Sequence, residues 1–105
     1  MEPQFNNEIT AAELEDKILK GLAPILIDVR EPIEFHTFNI GGLNIPLGSL
    51  EERLNEIELY KLKEIIVICK IGIRSDTAQR LLINAGFKNS RNLKGGLIAY
   101  KRLSH

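Results

Sequence analysis

The stretch Ile65-Ile66-Val67-Ile68-Cys69-Lys70-Ile71-Gly72-Ile73-Arg74-Ser75 decides how this chain folds. Its first four residues are apolar, continuous and β-branched, the pattern of a strand buried on both faces. Further on, Ala78, Leu81, Leu82 and Ala85 recur at helical spacing, with Ser75 or Asp76 as the expected N-cap and Gly86 as the expected end. Cys69 therefore ends a strand and faces a short loop and a helix N-terminus. Backbone N–H groups and the helix dipole favour negative charge there, so thiolate chemistry is easiest at such a place.

Working outward, apolar runs alternate with helical segments. Thr10-Ala11-Ala12-Glu13 reads as a capping box opening a helix, with Leu14 and Ile18 on its inner face and Gly21 at its end. Pro24 leads into the strand-like run Ile25-Leu26-Ile27-Asp28-Val29, and Pro32 fits the first position of a following helix. Leu43 to Pro46 reads as a short strand. Ser49-Leu50-Glu51-Glu52 reads as a second capping box, followed by a Leu50, Leu54, Ile57 stripe. Ser90 to Leu93 suits a last strand and Leu97 to Leu103 a last amphipathic segment. Strands alternating with helices predict an α/β fold with a parallel sheet covered on both faces, and ligands bind outside the carboxyl ends of such strands.

The chain of 105 residues is expected to form one domain, residues 1–105. Fourteen basic and fourteen acidic residues balance, so nothing global points to nucleic acid or a membrane surface. One cysteine excludes an intramolecular disulfide and a Cys-rich metal site, and with a polar start it predicts a cytoplasmic protein. No metal site is expected.

A lone cysteine ending an apolar strand is most often simply core. Three neighbours argue for more. Gly72 lets the loop turn its N–H groups toward one spot, Lys70 and Arg74 add positive charge, and the next helix presents unsatisfied N–H groups to the same place. Together they favour a thiolate nucleophile.

Four segments carry a resemblance that spans Thr10 to Tyr100. They are Asp28-Val29-Arg30-Glu31-Pro32-Ile33-Glu34-Phe35, Asn44-Ile45-Pro46-Leu47, Cys69 to Ser75, and Asn92-Leu93-Lys94-Gly95-Gly96-Leu97. In this order and spacing the chain resembles the rhodanese-like domain family. The loop and the ending look most like rhodanese domains linked to ubiquitin-like activating enzymes of molybdopterin and thiamine synthesis. The resemblance implies a five-stranded, mostly parallel sheet flanked by helices on both faces. It also implies a catalytic Cys69 that takes a sulfane sulfur as a persulfide and passes it on, without metal or organic cofactor. The expected substrate-binding residues are Lys70, Ile71, Gly72, Ile73, Arg74 and Ser75, with Asp28, Arg30 and Glu34 in support. The expected partners are a small anionic sulfur donor such as thiosulfate and a sulfur-acceptor protein; nucleic acid and membrane are not expected. Related dual-specificity phosphatases carry a loop one residue longer, placing arginine where this chain has Ser75, so a phosphatase or arsenate reductase is the weaker reading. A persulfide carrier or interaction module is the other alternative.

Asp28 and Arg30 are expected to form an ion pair that fixes the strand-to-helix turn, and Glu34 to sit in the first turn of that helix. His36 has no partners that would make it a base or ligand, and is expected on a helix surface. Phe38, Ile71 and Ile73 suit either an exposed apolar rim that docks a protein acceptor or packing under neighbouring loops.

Overall fold

β4 (Ile65–Ile68) occupies the middle of the sheet because every one of its side chains is apolar and buried. The computed structural model describes residues 7–22 and 24–103. Around β4 the strands are β1 (Glu8–Ile9), β2 (Ile25–Asp28), β3 (Leu43–Asn44) and β5 (Ser90–Leu93), in the order β1-β5-β4-β2-β3. All four pairings are parallel, with Ile27 opposite Val67 and Val67 opposite Asn92.

Parallel neighbours need crossovers, and helices supply them. These are α1 (Ala11–Leu19), α2 (Pro32–Thr37), α3 (Leu47–Leu50), α4 (Ile73–Asn84) and α5 (Gly96–Lys101), with a 3-10 helix over Glu51–Tyr60. The period of two along β4 divides the core. Ile65, Val67 and Cys69 face one side, with Leu50, Ile57, Ala78, Leu82 and Phe87. Ile66 and Ile68 face the other, with Ile9, Leu14, Leu93 and Leu97. Alternation therefore aims Cys69 toward α4.

The Thr10 capping box forms as expected: Glu13 N donates to Thr10 Oγ1 at 3.1 Å, and Thr10 N donates to Glu13 Oε1 at 2.9 Å. Pro32 opens α2. Three expectations need correction. Ile18 is exposed rather than inward, because α1 is covered along Ala11 and Leu14 alone. Ser49 is not an N-cap: Pro46 takes that place, its carbonyl accepts from Ser49 N at 2.9 Å, and the chain is already helical at Leu47. The segment after it is a 3-10 helix, although Leu50 and Ile57 are buried as the stripe required.

α4 also departs from the expectation, starting at Ile73 rather than after Ser75 or Asp76. Its N-cap is Gly72, at φ +103°, a left-handed conformation that an L side chain rarely adopts. β1 went unread because two residues are too few to show a period.

Candidate active site

Glycine brings no side chain to cap α4, so the orphan N–H groups of its first turn need another acceptor. Cys69 Sγ supplies it. Ser75 N donates to the sulfur at 3.3 Å and Gly72 N at 3.1 Å. Asp76 N makes the first regular helical bond, to Gly72 O. The thiol thus takes the role that a serine or aspartate oxygen fills at ordinary helix starts, and its sulfur lies where the dipole favours an anion. Ser75 Oγ lies a further 3.1 Å from Sγ.

Cys69 is 1% exposed, so the sulfur is enclosed by its own loop rather than open to a cleft. Two clefts flank that loop. One, of about 320 Å3, lies between α2 and α5 and is lined by Arg30, Ile33, Glu34, Phe38, Lys70 and Lys101 among others. The other, of about 360 Å3, includes Ile71, Gly72, Ile73 and Asn92 in its walls.

The expected site residues fall into three groups. Cys69, Gly72 and Ser75 form the cradle itself. Lys70, Ile71 and Ile73 project from it and are exposed. Ile71 at 50% and Ile73 at 69% take the rim position rather than tucking under loops, and Ile33 at 77% and Phe38 at 38% extend the apolar surface. Lys101 Nζ stands 4.1 Å above the Phe38 ring, which places a second cation beside Lys70's cleft.

Arg74 makes its hydrogen bonds to Glu34 rather than to the sulfur. It grips Glu34 as a fork, Nη1 to Oε1 at 2.7 Å and Nη2 to Oε2 at 2.9 Å, tying α4 to α2. The bidentate geometry is the strong form of this pair. The Arg74 hydrogen bonds and the Glu31 N–H hold the Glu34 carboxyl down at about 2, against desolvation that acts the other way. The same carboxylate raises the Arg74 guanidinium. Because Glu34 is depressed on folding, its contribution is complete above the ordinary carboxylate range and disappears as pH falls from about 4.5 toward about 2. A carboxyl-detected NMR titration should therefore place the Glu34 midpoint near 2. The stability difference between the parent and Glu34→Gln should shrink across that same acid window.

Asp28 and Arg30 are buried and paired. Asp28 Oδ1 accepts from Arg30 N and Nε, each at 3.0 Å, and Oδ2 accepts from Nη2 at 2.8 Å. Arg30 Nη2 also donates to Phe38 O at 2.6 Å, so one guanidinium pins both ends of α2. Asn44 Nδ2 donates to the Asp28 and Arg30 carbonyls at 3.0 Å each. Neither Asp28 nor Arg30 bonds the sulfur; they frame the turn from which Glu34 reaches Arg74. His36 is exposed, edge-on to Phe35 at 5.6 Å between ring centroids.

Two contributors carried no assigned role in the sequence reading. Asn92, on β5, accepts from Ser75 Oγ and donates to Gly72 O. A buried amide in a strand paired to the cysteine's own strand was the available signal. Gly96 lies so close to the loop that a Cβ there would sit 2.4 Å from both Lys70 C and O, and its φ of +62° is left-handed. That contact lets Leu97 N donate to Cys69 O at 2.9 Å and Ile98 N to Lys70 O at 3.1 Å. Gly96→Ala is expected to cost about 1–3 kcal/mol in urea unfolding, and to loosen the loop enough that Cys69 alkylates faster.

The rhodanese-like domain model matches residues 10–103. A sulfurtransferase of Allochromatium vinosum is 31% identical over 97 residues, covering 91% of this chain and 89% of the relative. The probable adenylyltransferase/sulfurtransferase MoeZ of Mycobacterium tuberculosis is 33% identical over 95 residues, 90% of this chain, which spans only 24% of that longer protein. The crystal structure of a rhodanese-related protein from Thermoplasma volcanium aligns with a TM-score of 0.79 at 32% identity, over 90% of each chain. The parallel sheet, the sulfur at its carboxyl edge and these relatives agree: the chain belongs to the rhodanese-like family of sulfurtransferase domains.

Proposed function

We propose that the protein moves a sulfane sulfur through a persulfide on Cys69. The observation that carries this is the sulfur's place as acceptor for the Gly72 and Ser75 amides at the head of α4. The Cys69 thiolate attacks the outer sulfur of a donor such as thiosulfate. A new Sγ–S bond forms, the donor's S–S bond breaks, and its electron pair departs with sulfite. The negative charge now rides on the terminal sulfur, which loop N–H groups can stabilise as preorganised dipoles. A nucleophilic acceptor then bonds to that sulfur, and Cys69 leaves as the thiolate. The scheme draws on no metal or cofactor.

Lys70 is the exposed cation next to the nucleophile and attracts the anionic donor. Arg74, gripped by Glu34, positions the loop in this scheme and meets the donor only if that grip is shared. This commitment also weakens the phosphatase reading, which requires a free fork for phosphoryl oxygens. The exposed Ile33, Phe38, Ile71 and Ile73 favour a protein as acceptor. A putative sulfur carrier protein of Bacillus subtilis, 36% identical over 91 residues, supports a carrier role. We propose the cytoplasm as the compartment, since a single thiol stays reduced there.

Mass spectrometry after thiosulfate treatment tests this. One sulfur atom should be added to the peptide holding Cys69, and cyanide or a thiol should remove it. An unmodified Cys69 under every donor tried would refute the proposal.

A further inference from the structure

Ser75 has one hydroxyl proton and two neighbours that want it. Cys69 Sγ lies 3.1 Å from its oxygen on one side, and Asn92 Oδ1 lies 2.5 Å away on the other. All three residues are buried, at 1%, 0% and 4% exposure for Cys69, Ser75 and Asn92, so water cannot make up a missing bond. The Asn92 amide cannot turn over. Its Nδ2 donates to Gly72 O at 3.1 Å, and a flipped amide would set two acceptors against each other there. Oδ1 therefore faces Ser75, and since it can only accept, it takes the hydroxyl proton.

The state of the sulfur follows. With its proton on Asn92, Ser75 Oγ offers only lone pairs to Cys69, a partner for the S–H of a thiol. A thiolate, which already accepts from the Gly72 and Ser75 N–H groups, is better served by a donor at Ser75 Oγ than by a lone pair. Ser75 can become that donor only by swinging its proton from Asn92, leaving Oδ1 unpaired in a dry site, which is costly. After sulfur loading the charge sits on the terminal sulfur, Sγ is bonded on both sides, and Ser75 can return its proton to Asn92.

We infer that Asn92 is a positioning residue that governs Cys69 through the Ser75 proton, restraining the free thiolate and sparing the persulfide. The inference deepens the sulfur-transfer reading and rests on Cys69 being its nucleophile. Other charged groups lie on the elements next to the cysteine loop: Lys70 in the loop, Arg74 and Asp76 in the first turn of α4, Glu34 on α2, Lys101 on α5 and the Asp28–Arg30 pair. None of them changes in the comparison below.

The test is the rate of iodoacetamide alkylation of Cys69 against pH, read by mass spectrometry. It is run in the parent, Asn92→Leu, Asn92→Asp, Ser75→Ala and the Ser75→Ala/Asn92→Leu pair. Asn92→Leu releases the proton toward sulfur, and the profile should move to lower pH by about one unit, roughly tenfold in rate below the midpoint. Asn92→Asp holds the proton harder and should move it the opposite way. With alanine at position 75, leucine at position 92 should change nothing. An equal shift with and without the Ser75 hydroxyl would overturn the inference, as would one common profile for the two Asn92 variants, the mark of an unfolded chain. Alkylation needs no sulfur donor, so a failure to load sulfur strikes the transfer reading and leaves this result standing.

Discussion

Cys69→Ser is expected to load no sulfur and to reduce transfer from thiosulfate to the uncatalysed background, while the protein stays folded. Both halves follow from the same contacts. A serine oxygen is far less nucleophilic toward sulfur than a thiolate, and no second cysteine exists to substitute for it. The same oxygen still accepts from amides, so the Ser75 N–H that now ends on Sγ keeps a partner. The loss in stability should therefore be small, about 1 kcal/mol, as for an imperfect helix cap. Mass spectrometry of the treated variant and a urea melt check the two halves separately. A variant that still carried added sulfur would place the persulfide elsewhere. One that unfolded would give Cys69 a structural role larger than capping.

The other large effect lies at Arg30. Replacing it by Met strips the carboxyl of Asp28, 1% exposed, of its guanidinium partner and leaves it, among the described residues, the backbone N–H of position 30 as donor. Removing one member of a buried pair costs about 3–5 kcal/mol, a large part of the roughly 5–15 kcal/mol that holds a domain together. The Phe38 carbonyl loses its donor as well, so α2 is released at its far end. The urea midpoint should fall steeply, and the Asp28→Asn/Arg30→Met pair should recover part of the loss because the stranded carboxyl is gone. A single variant as stable as the parent would show that the pair is dispensable to the turn. Sulfur loading at a temperature where the variant remains folded should drop too, since the Glu34 that holds Arg74 projects from α2.

What could be read in the chain was whatever a local period or cap encodes. Ile65 to Ile68 announce a central strand by β-branching alone, and their alternation sends Cys69 to the α4 side before any distance is known. Thr10 with Glu13, and Pro32 at a helix start, are likewise local. The Glu34–Arg74 fork joins residues forty positions apart, and no spacing rule connects them. The sequence reading therefore cast Arg74 as a free hand for the donor. The start of α4 was misplaced for a related reason. Ser75 and Asp76 carry the residue types of an N-cap, but Gly72 can begin the helix because the sulfur of Cys69, three residues upstream, serves as the cap from outside. Asn92 showed only as an amide in a strand, and its meaning depends on a neighbour supplied by tertiary packing.

The loop carbonyls of Cys69 and Lys70 end on the amides of Leu97 and Ile98, nearly thirty residues downstream. During synthesis on the ribosome, β4 and α4 emerge well before those amides do. The scaffold of the nucleophile is therefore finished only once residue 98 has been made, so this loop is among the last parts of the fold to close in the order of synthesis.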